Sequence, residues 1–386
     1  MADDSGRGVS RRDVLTTSAG LGSAALLAGC TGGFASGGDG GDGGSGGEGS
    51  YTVSMAPTGE VEFDAPPESV AHYFPGYADM AVALGHADSI NSIGVVSRYH
   101  VDHYDELDGV AIDKSSLTEL VGDSGIDKEL FYDLESDLHL IDPKWLVNNG
   151  FFGFEQADIE ELSENVAPFL GNTVFRRTDK WHDYRFYTMY EAFGKMAAVH
   201  QEQERYESFR SFHDEFLATL QASLPSADAR PNGLLCFAGS DEPEVFSPYR
   251  LTDKGTNKKP FRDLGIPDGL AGTGIEGLST NDRGQIDYET MLDVDPDAIF
   301  IRGHEDKSRQ EFEDTVVAFM QDHNTASELT AVQEGRVLRG GPIYLGPIQH
   351  LFVTERLALE LFPDSYSGDL FDRDELAEIV TGNRSG

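Results

Sequence analysis

The reactive side chains of this sequence are few. It has two cysteines, Cys30 and Cys236. It has no Gly-x-Ser-x-Gly elbow between a strand and a helix, no His-Glu-x-x-His pair and no phosphate-cradling Gly-Lys-Ser/Thr loop. Cys236 sits in the apolar run Gly233-Leu-Leu-Cys-Phe237. It reads as a small core residue, because a reactive thiolate needs an accessible, electropositive setting. His100-Val-Asp-His103 has metal-ligating side chains but not the tight histidine or sulfur spacing of a dedicated site, so a bare metal ion is a weak reading. Carboxylates are abundant, and a glycosidase-like acid pair keeps a secreted hydrolase open as a reading of another class. The cations are the scarce chemistry: 9 Lys and 20 Arg among 386 residues. Arginine offers a planar fork suited to carboxylate or catecholate oxygens, so the arginines are the residues to follow.

Charge narrows the partners. With 68 Asp+Glu against 29 Lys+Arg, the formal net charge is -39. Nucleic acid is excluded as a partner, since a phosphate backbone needs a basic surface. The 39% apolar content excludes general disorder. A large acid excess with scarce lysine keeps a protein soluble in concentrated salt, where screening relieves self-repulsion. The expectation is a salt-adapted, haloarchaeal host; an ordinary acidic protein is the alternative.

Residues 1–29 read as an export signal: a polar start with Arg11-Arg12, a weakly apolar stretch from Val14 to Leu27, and a small-residue site ending at Cys30. The arginine pair resembles a twin-arginine signal, and Leu27-Ala-Gly-Cys30 resembles a lipoprotein box with Cys30 as lipid anchor. Residues 30–50, with eleven glycines between 31 and 50, form a flexible tether. The expected location is the extracellular face of the cell membrane, with a monomeric body held there after export.

Strand and helix alternate through two similar halves, which argues for an α/β fold with mainly parallel pairing. Strands are expected at Glu68 to Phe74, Ser89 to Ser97, Leu138 to Ile141, Gly233 to Ala238, Ala298 to Ile301 and Arg336 to Leu338. Helices are expected at Tyr77 to Gly85, within Asp127 to Asp137, and at Ala157 to Ala167, Asp287 to Val294, Gln310 to Asp322 and Leu351 to Phe362. From Phe186 to Leu220 apolar residues recur every three or four positions, predicting one long helix or two nearly collinear ones. This stretch is either a spine between two lobes or a long core helix within one domain. The assigned domains are a lobe over 51–180, the linking spine over 181–224 and a second lobe over 225–386. One echo ties the halves: Glu129 to Leu134-Glu-Ser-Asp137 and Glu289 to Val294-Asp-Pro-Asp297 each precede a strand.

The order of signal, lipobox, linker, lobe, long helix and lobe resembles the substrate-binding proteins of ABC importers. More narrowly, it is similar to the group that binds ferric siderophores, cobalamin and haem. The echoed segments match that group's helix-to-strand motif, as do Pro75-Gly76 after the first strand and Ala331 to Val337 before the last. Ser136, where the motif has proline, and the long polar loop from Arg98 to Ser116 depart from it. The resemblance implies two Rossmann-like α/β lobes joined by one long spine helix, with a ligand cleft between them. It implies no enzyme activity and no cofactor. The implied ligand is a metal chelate, a ferric siderophore first and cobalamin or haem by the same fold second. Haem would draw its axial ligand from His72, His100, His182 or His304. The partners would be an ABC permease with its ATPase, docked through Glu129 and Glu289.

Such a ligand would sit where loops follow the strands, among aromatic residues and a few polar groups. Position makes candidates of Tyr73, Tyr77, Arg98, Tyr99 and Trp145 from the first lobe. From the second come Phe237, Tyr249, Arg250, Arg283, Arg302 and Tyr344. Trp181, His182 and Arg185 form a further cluster before the spine. Each arginine taken singly could instead be a surface ion pair among the many acids.

Overall fold

A computed structural model describes residues 49–275 and 284–382; the signal, Cys30 and Arg283 lie outside the described residues. The described chain opens with a hairpin that periodicity did not mark, β1 (Tyr51–Met55) and β2 (Gly59–Phe63). Its alternate residues Val53, Met55, Val61 and Phe63 are buried.

The first lobe follows: β3 (Val70–His72), α1 (Pro75–Ala83), β4 (Ile90–Ile93), β5 (Thr118–Glu119), a two-strand flap of β6 (Val121–Gly122) and β7 (Gly125–Ile126), α2 (Glu129–Asp133), β8 (Leu138–Leu140), α3 (Pro143–Asn148) and α4 (Gln156–Asn165). Its main sheet has the order β5-β4-β3-β8, all parallel. Every residue of α1 is buried, because it packs against the later helices at Met189–His200 and Pro347–Leu361, so it has no polar stripe.

Two helices lead out of this lobe, α5 (Met189–His200) and α6 (Gln203–Ser223). They are not collinear. Gln201 adopts a left-handed conformation, φ 57°, and ends α5. The chain then folds back, with Phe193 5.4 Å from Phe209 and Tyr190 4.3 Å from His213 between ring centroids. Residues 181–188, assigned to the spine, are not helical. An antiparallel pair and a continuous helix share the same three-to-four spacing, so the pattern carried no sign of the reversal. The long helix that carries the chain from the first lobe to the second is α6, about 31 Å by its 21 residues. Phe209, Phe212 and Phe216 belong to the first-lobe core, and Leu220, one turn on, to the second.

The second lobe holds β9 (Gly233–Phe237), β10 (Ser247–Tyr249), α7 (Lys259–Asp263), α8 (Tyr288–Val294) and β11 (Ala298–Arg302). There follow a helix formed by α9 (Arg309–Phe312), a π-turn (Glu313–Val317) and α10 (Ala318–Asp322), then α11 (Thr330–Gln333) and β12 (Val337–Arg339). The sheet order is β10-β9-β11-β12, with β10 antiparallel and the rest parallel.

The last two helices correct the assignment of 225–386 to the second lobe alone. In α12 (Pro347–Leu361), Ile348 and Leu351 lie in the first-lobe core while Leu357 and Leu361 lie in the second. Its N-terminus is fixed to the first lobe by the buried Asp79 carboxylate, which accepts from the Ile348 amide at 2.8 Å. Gly76 permits this approach: a Cβ there would meet the Leu345 carbonyl oxygen at 2.9 Å. Finally α13 (Arg373–Thr381) buries Leu376, Ile379 and Val380 in the first-lobe core. The lobes are thus bound by two crossing helices, α6 and α12.

The sequence echo has a structural cause. Glu135 and Asp295 both take the left-handed conformation that turns each helix into its strand. Two residues on, Asp137 accepts from the Glu68 and Ser69 amides, and Asp297 from the Asn232 amide. Each carboxylate ties its turn to the start of its lobe's first parallel strand. Ser136 accepts a hydrogen bond from Asn91 at 2.8 Å. Among the described residues no helix is long and apolar enough to cross a membrane.

Candidate functional site

Parallel strands leave their carboxyl ends, and the loops that follow them, on one edge of each sheet. Here those edges bound a cavity of about 270 Å³. Tyr73 comes from the end of β3, Val95 and Arg98 from beyond β4, and Trp145 from α3 after β8. Phe237 ends β9, and Ile343 and Tyr344 follow β12. Phe152, Phe175 and Arg176 complete the wall.

The first-lobe side is a ring-on-ring assembly. Trp145 lies 5.8 Å from Tyr73, 5.4 Å from Phe74 and 5.5 Å from Phe175. Tyr344 reaches across from the second lobe to pack on Phe74 at 5.4 Å and Phe175 at 4.8 Å. Such edge-on geometries add about 0.5–1.5 kcal/mol each beyond burial. The Arg176 guanidinium lies 4.9 Å over the Trp145 ring and pairs with Asp179 at 2.8 Å. Burial pushes the Tyr73 phenol well above its ordinary range and the Tyr344 phenol above it, opposed by the nearby Arg98 and Arg176 charges, so both are neutral.

An adjoining hollow in the second lobe shares Phe175, Arg176 and Ile343 and adds Tyr249, Asp253, Asn257 and Lys258. Behind it lies Arg302. Lys258 and Arg302 are each 1% exposed. Arg302 Nη2 donates to the Asn257 carbonyl at 2.5 Å, but its Nε and Nη1 have no partner, nor do the Tyr249 hydroxyl and Asn257 Oδ1. Burial first, and the Arg302 charge second, lower the Lys258 ammonium to about 7, with Asp253 working the other way. Two buried cations, with the half-buried Asp253 acting on Lys258 and the half-buried Glu305 on Arg302, are a costly arrangement that an anion would relieve further.

The candidates therefore divide. Tyr73, Arg98, Trp145, Phe237 and Tyr344 meet around the cavity, and Tyr249 lines the adjoining hollow with Arg302 behind it. Tyr77 lies outside; it is fully buried, donating to the Asn172 carbonyl at 3.1 Å. Tyr99 is also core, 3.2 Å from the Tyr104 hydroxyl. Arg250 spends its guanidinium on the Leu270 and Ile275 carbonyls. Arg185 is 60% exposed and pairs with Glu191. Trp181 backs Trp145 at 6.3 Å without lining the cavity. His72, His100, His182 and His304 do not line it either, and His100 and His103 face a separate, mixed-charge hollow of about 770 Å³ beside α12. Glu129 and Glu289 are exposed on the first turns of α2 and α8.

Sequence reasoning missed Phe152, Phe175, Arg176 and Lys258. Phe175 and Arg176 lie in the irregular segment between α4 and α5, where no periodicity singles them out. Lys258-Lys259 did carry a signal: adjacent lysines are conspicuous in a chain with nine.

Among solved structures, a periplasmic binding protein from Veillonella parvula shares 15% identity and a TM-score of 0.58, over 82% of this chain and 98% of its own. Helicobacter pylori CeuE in a nickel–histidine complex gives 14% and 0.56, over 86% and 96%. The petrobactin-binding protein YclQ from Bacillus subtilis gives 15% and 0.55, over 81% and 99%. At these identities the likeness is one of fold. No curated protein sequence matches. The family model for periplasmic binding proteins matches residues 70–344, spanning both main sheets, α6 and the cavity between the lobes, and the chain belongs to that family.

Proposed function

We propose that this protein is the extracytoplasmic substrate-binding component of an ABC importer, and that its ligand is an anionic metal chelate, a ferric siderophore. Membership of the binding-protein family supports the general role. The observation that carries the ligand class is Arg302, buried with its Nε and Nη1 unpartnered, beside the equally buried Lys258 and an aromatic cavity. Carboxylate, hydroxycarboxylate or catecholate oxygens would satisfy both, while Tyr73, Trp145 and Phe175 present faces to the organic part of the chelate. The chelate's own oxygens hold the iron, so protein ligands to the metal are not needed. At about 270 Å³ the cavity is small for such a ligand. Admission requires Tyr344 to withdraw from Phe74 and Phe175, a modest parting of lobes tied by α6 and α12.

In this reading Arg11-Arg12 directs export, Cys30 carries lipid, and the glycine-rich tether holds a monomeric body outside the membrane. Glu129 and Glu289 dock the two lobes onto the permease, whose ATPase drives delivery. Each is also an acid at a helix start, favoured there by about 0.3–1 kcal/mol.

The test is a titration of the purified chain with ferric catecholate, hydroxamate and citrate complexes, followed by Trp and Tyr fluorescence. One anionic complex is expected to quench at micromolar concentration or below; absence of binding by all three sinks the ligand assignment. In cells, reversal of both Glu129 and Glu289 to Lys is expected to abolish uptake with binding intact. Uptake at the unaltered rate removes the docking role.

A further inference from the structure

Away from the cleft, three helices bring ligating side chains to one point. His213 projects from α6, His350 from α12, and Asp263 from the end of α7; their nearest ligating atoms all lie within 4.8 Å of one another. His350 Nε2 is 2.7 Å from Asp263 Oδ2. His213, 3% exposed, has Asp214 Oδ1 3.6 Å from its Nδ1, while its Nε2 has no partner. Tyr190 of α5 lies over the His213 ring, its buried hydroxyl also without a partner.

We propose that His213, Asp263 and His350 form a binding site for a divalent transition-metal cation of the zinc class, placed at the junction of the two lobes. Two imidazoles and one carboxylate are a recurrent three-ligand set, leaving a fourth position for water or the Tyr190 hydroxyl. Ligand atoms around a tetrahedral ion at about 2.0–2.1 Å are separated by about 3.3 Å. His350 and Asp263 would therefore part slightly and His213 would move in. An acid on the far nitrogen of a ligating histidine orients the ring and raises its basicity, and Asp214, 3.6 Å from Nδ1, would have to close to hydrogen-bond length to do so.

A cation already sits at this carboxylate: Lys259 Nζ is 2.7 Å from the same Asp263 oxygen. It is the movable tip of a long side chain beside a cavity of about 250 Å³ lined by Tyr190, Lys259 and Asp263. That cavity offers the ammonium somewhere to go and the ion a way in. Bound metal would fasten α7 of the second lobe to both crossing helices, fixing the angle between lobes. The inference stands independently of the importer reading.

The probe is Co²⁺ alone, titrated into the full chain at neutral pH. One equivalent is expected to give the intense visible bands of a four-coordinate ion and to be displaced by Zn²⁺. The many surface acids would give only the weak spectrum of six-coordinate Co²⁺. His213→Gln and Asp263→Asn should each weaken the four-coordinate site about 100-fold or more. Lys259→Met should tighten it, a gain that a misfolded variant could not produce. No four-coordinate band, an unaltered isotherm in His213→Gln, or no tightening in Lys259→Met would overturn the site.

Discussion

The two lobes face each other across the cleft with opposite kinds of surface. On the first-lobe side, Tyr73, Phe74, Trp145, Phe152 and Phe175 pack edge to face, and Arg176 is paired with Asp179. On the second-lobe side, Lys258 and Arg302 are buried beside Tyr249, and Arg302 has two donors unmet. The first face is held without a ligand by ring-on-ring packing and the Arg176–Asp179 pair, with only the Trp145 Nε1 among these groups unpartnered. The second carries an unpaid desolvation penalty that an anion would relieve. In the proposed function the first lobe supplies mainly shape and stability, with Arg98 and Arg176 also at the cavity, and the second lobe supplies its buried charge. Mutations on the two faces should separate stability from affinity.

The largest effect is expected on the cationic face. Arg302→Met with Lys258→Met should weaken an anionic ferric complex by about 100-fold or more, at roughly 1.5–3 kcal/mol for each charged hydrogen bond lost. The melting temperature of the unliganded protein should hold or rise, since two uncompensated charges leave the interior. Trp145→Ala should do the reverse to stability, costing roughly 3–5 kcal/mol by opening a hole in the ring assembly. Paired calorimetry and fluorescence titrations decide it. Equal loss of stability on both faces would dissolve the distinction.

A smaller effect follows from pH. The Lys258 ammonium titrates near 7 in the folded protein and near 10.4 when unfolded. Its folded pKa is the lower, so the penalty of the buried charge is full below about 7. Between 7 and 10.4 the unfolded chain binds the extra proton, and stability rises with pH. Ligand binding should show the opposite slope: an anion favours the charged form, so binding takes up a proton and affinity falls above about 7. The difference between the parent and Lys258→Met over pH 7–9 isolates this group. A flat difference in both stability and affinity would show that Lys258 does not titrate there.

Much of the architecture was legible because burial imposes periods. Ala298–Arg302 is buried at every residue and reads as an apolar run, and the paired Glu-to-Asp echo marks the same left-handed turn in both lobes. The fold-back at Gln201 was not legible, since α5 and α6 share one apolar phase across a two-residue turn. Nor was the return of α13 to the first lobe, a long-range packing choice without a local signal. In the site, aromatic residues directly after strands fell into the cavity, as topology requires. The arginines could not be ranked: Arg185, Arg250 and Arg302 differ only in which carbonyls, acids or rings the fold brings to them.

That contrast among three arginines gives the smallest expected effect. Arg302 is buried with unmet donors and should govern affinity. Arg250 holds the Leu270 and Ile275 carbonyls at 2.8 and 2.7 Å, so its loss should lower stability with affinity retained. Arg185 is 60% exposed, its ion pair with Glu191 is 3.3 Å long, and it packs over Tyr187 at the surface. Exposed pairs contribute about 0–1 kcal/mol, and salt screens them further. Arg185→Gln should therefore change unfolding free energy by no more than about 0.5 kcal/mol and leave ferric-complex affinity unaltered. A tenfold loss of affinity in that variant would carry the Trp181 and Arg185 cluster back into the binding site. It would also mean that the cleft's first-lobe face recognises charge as well as shape.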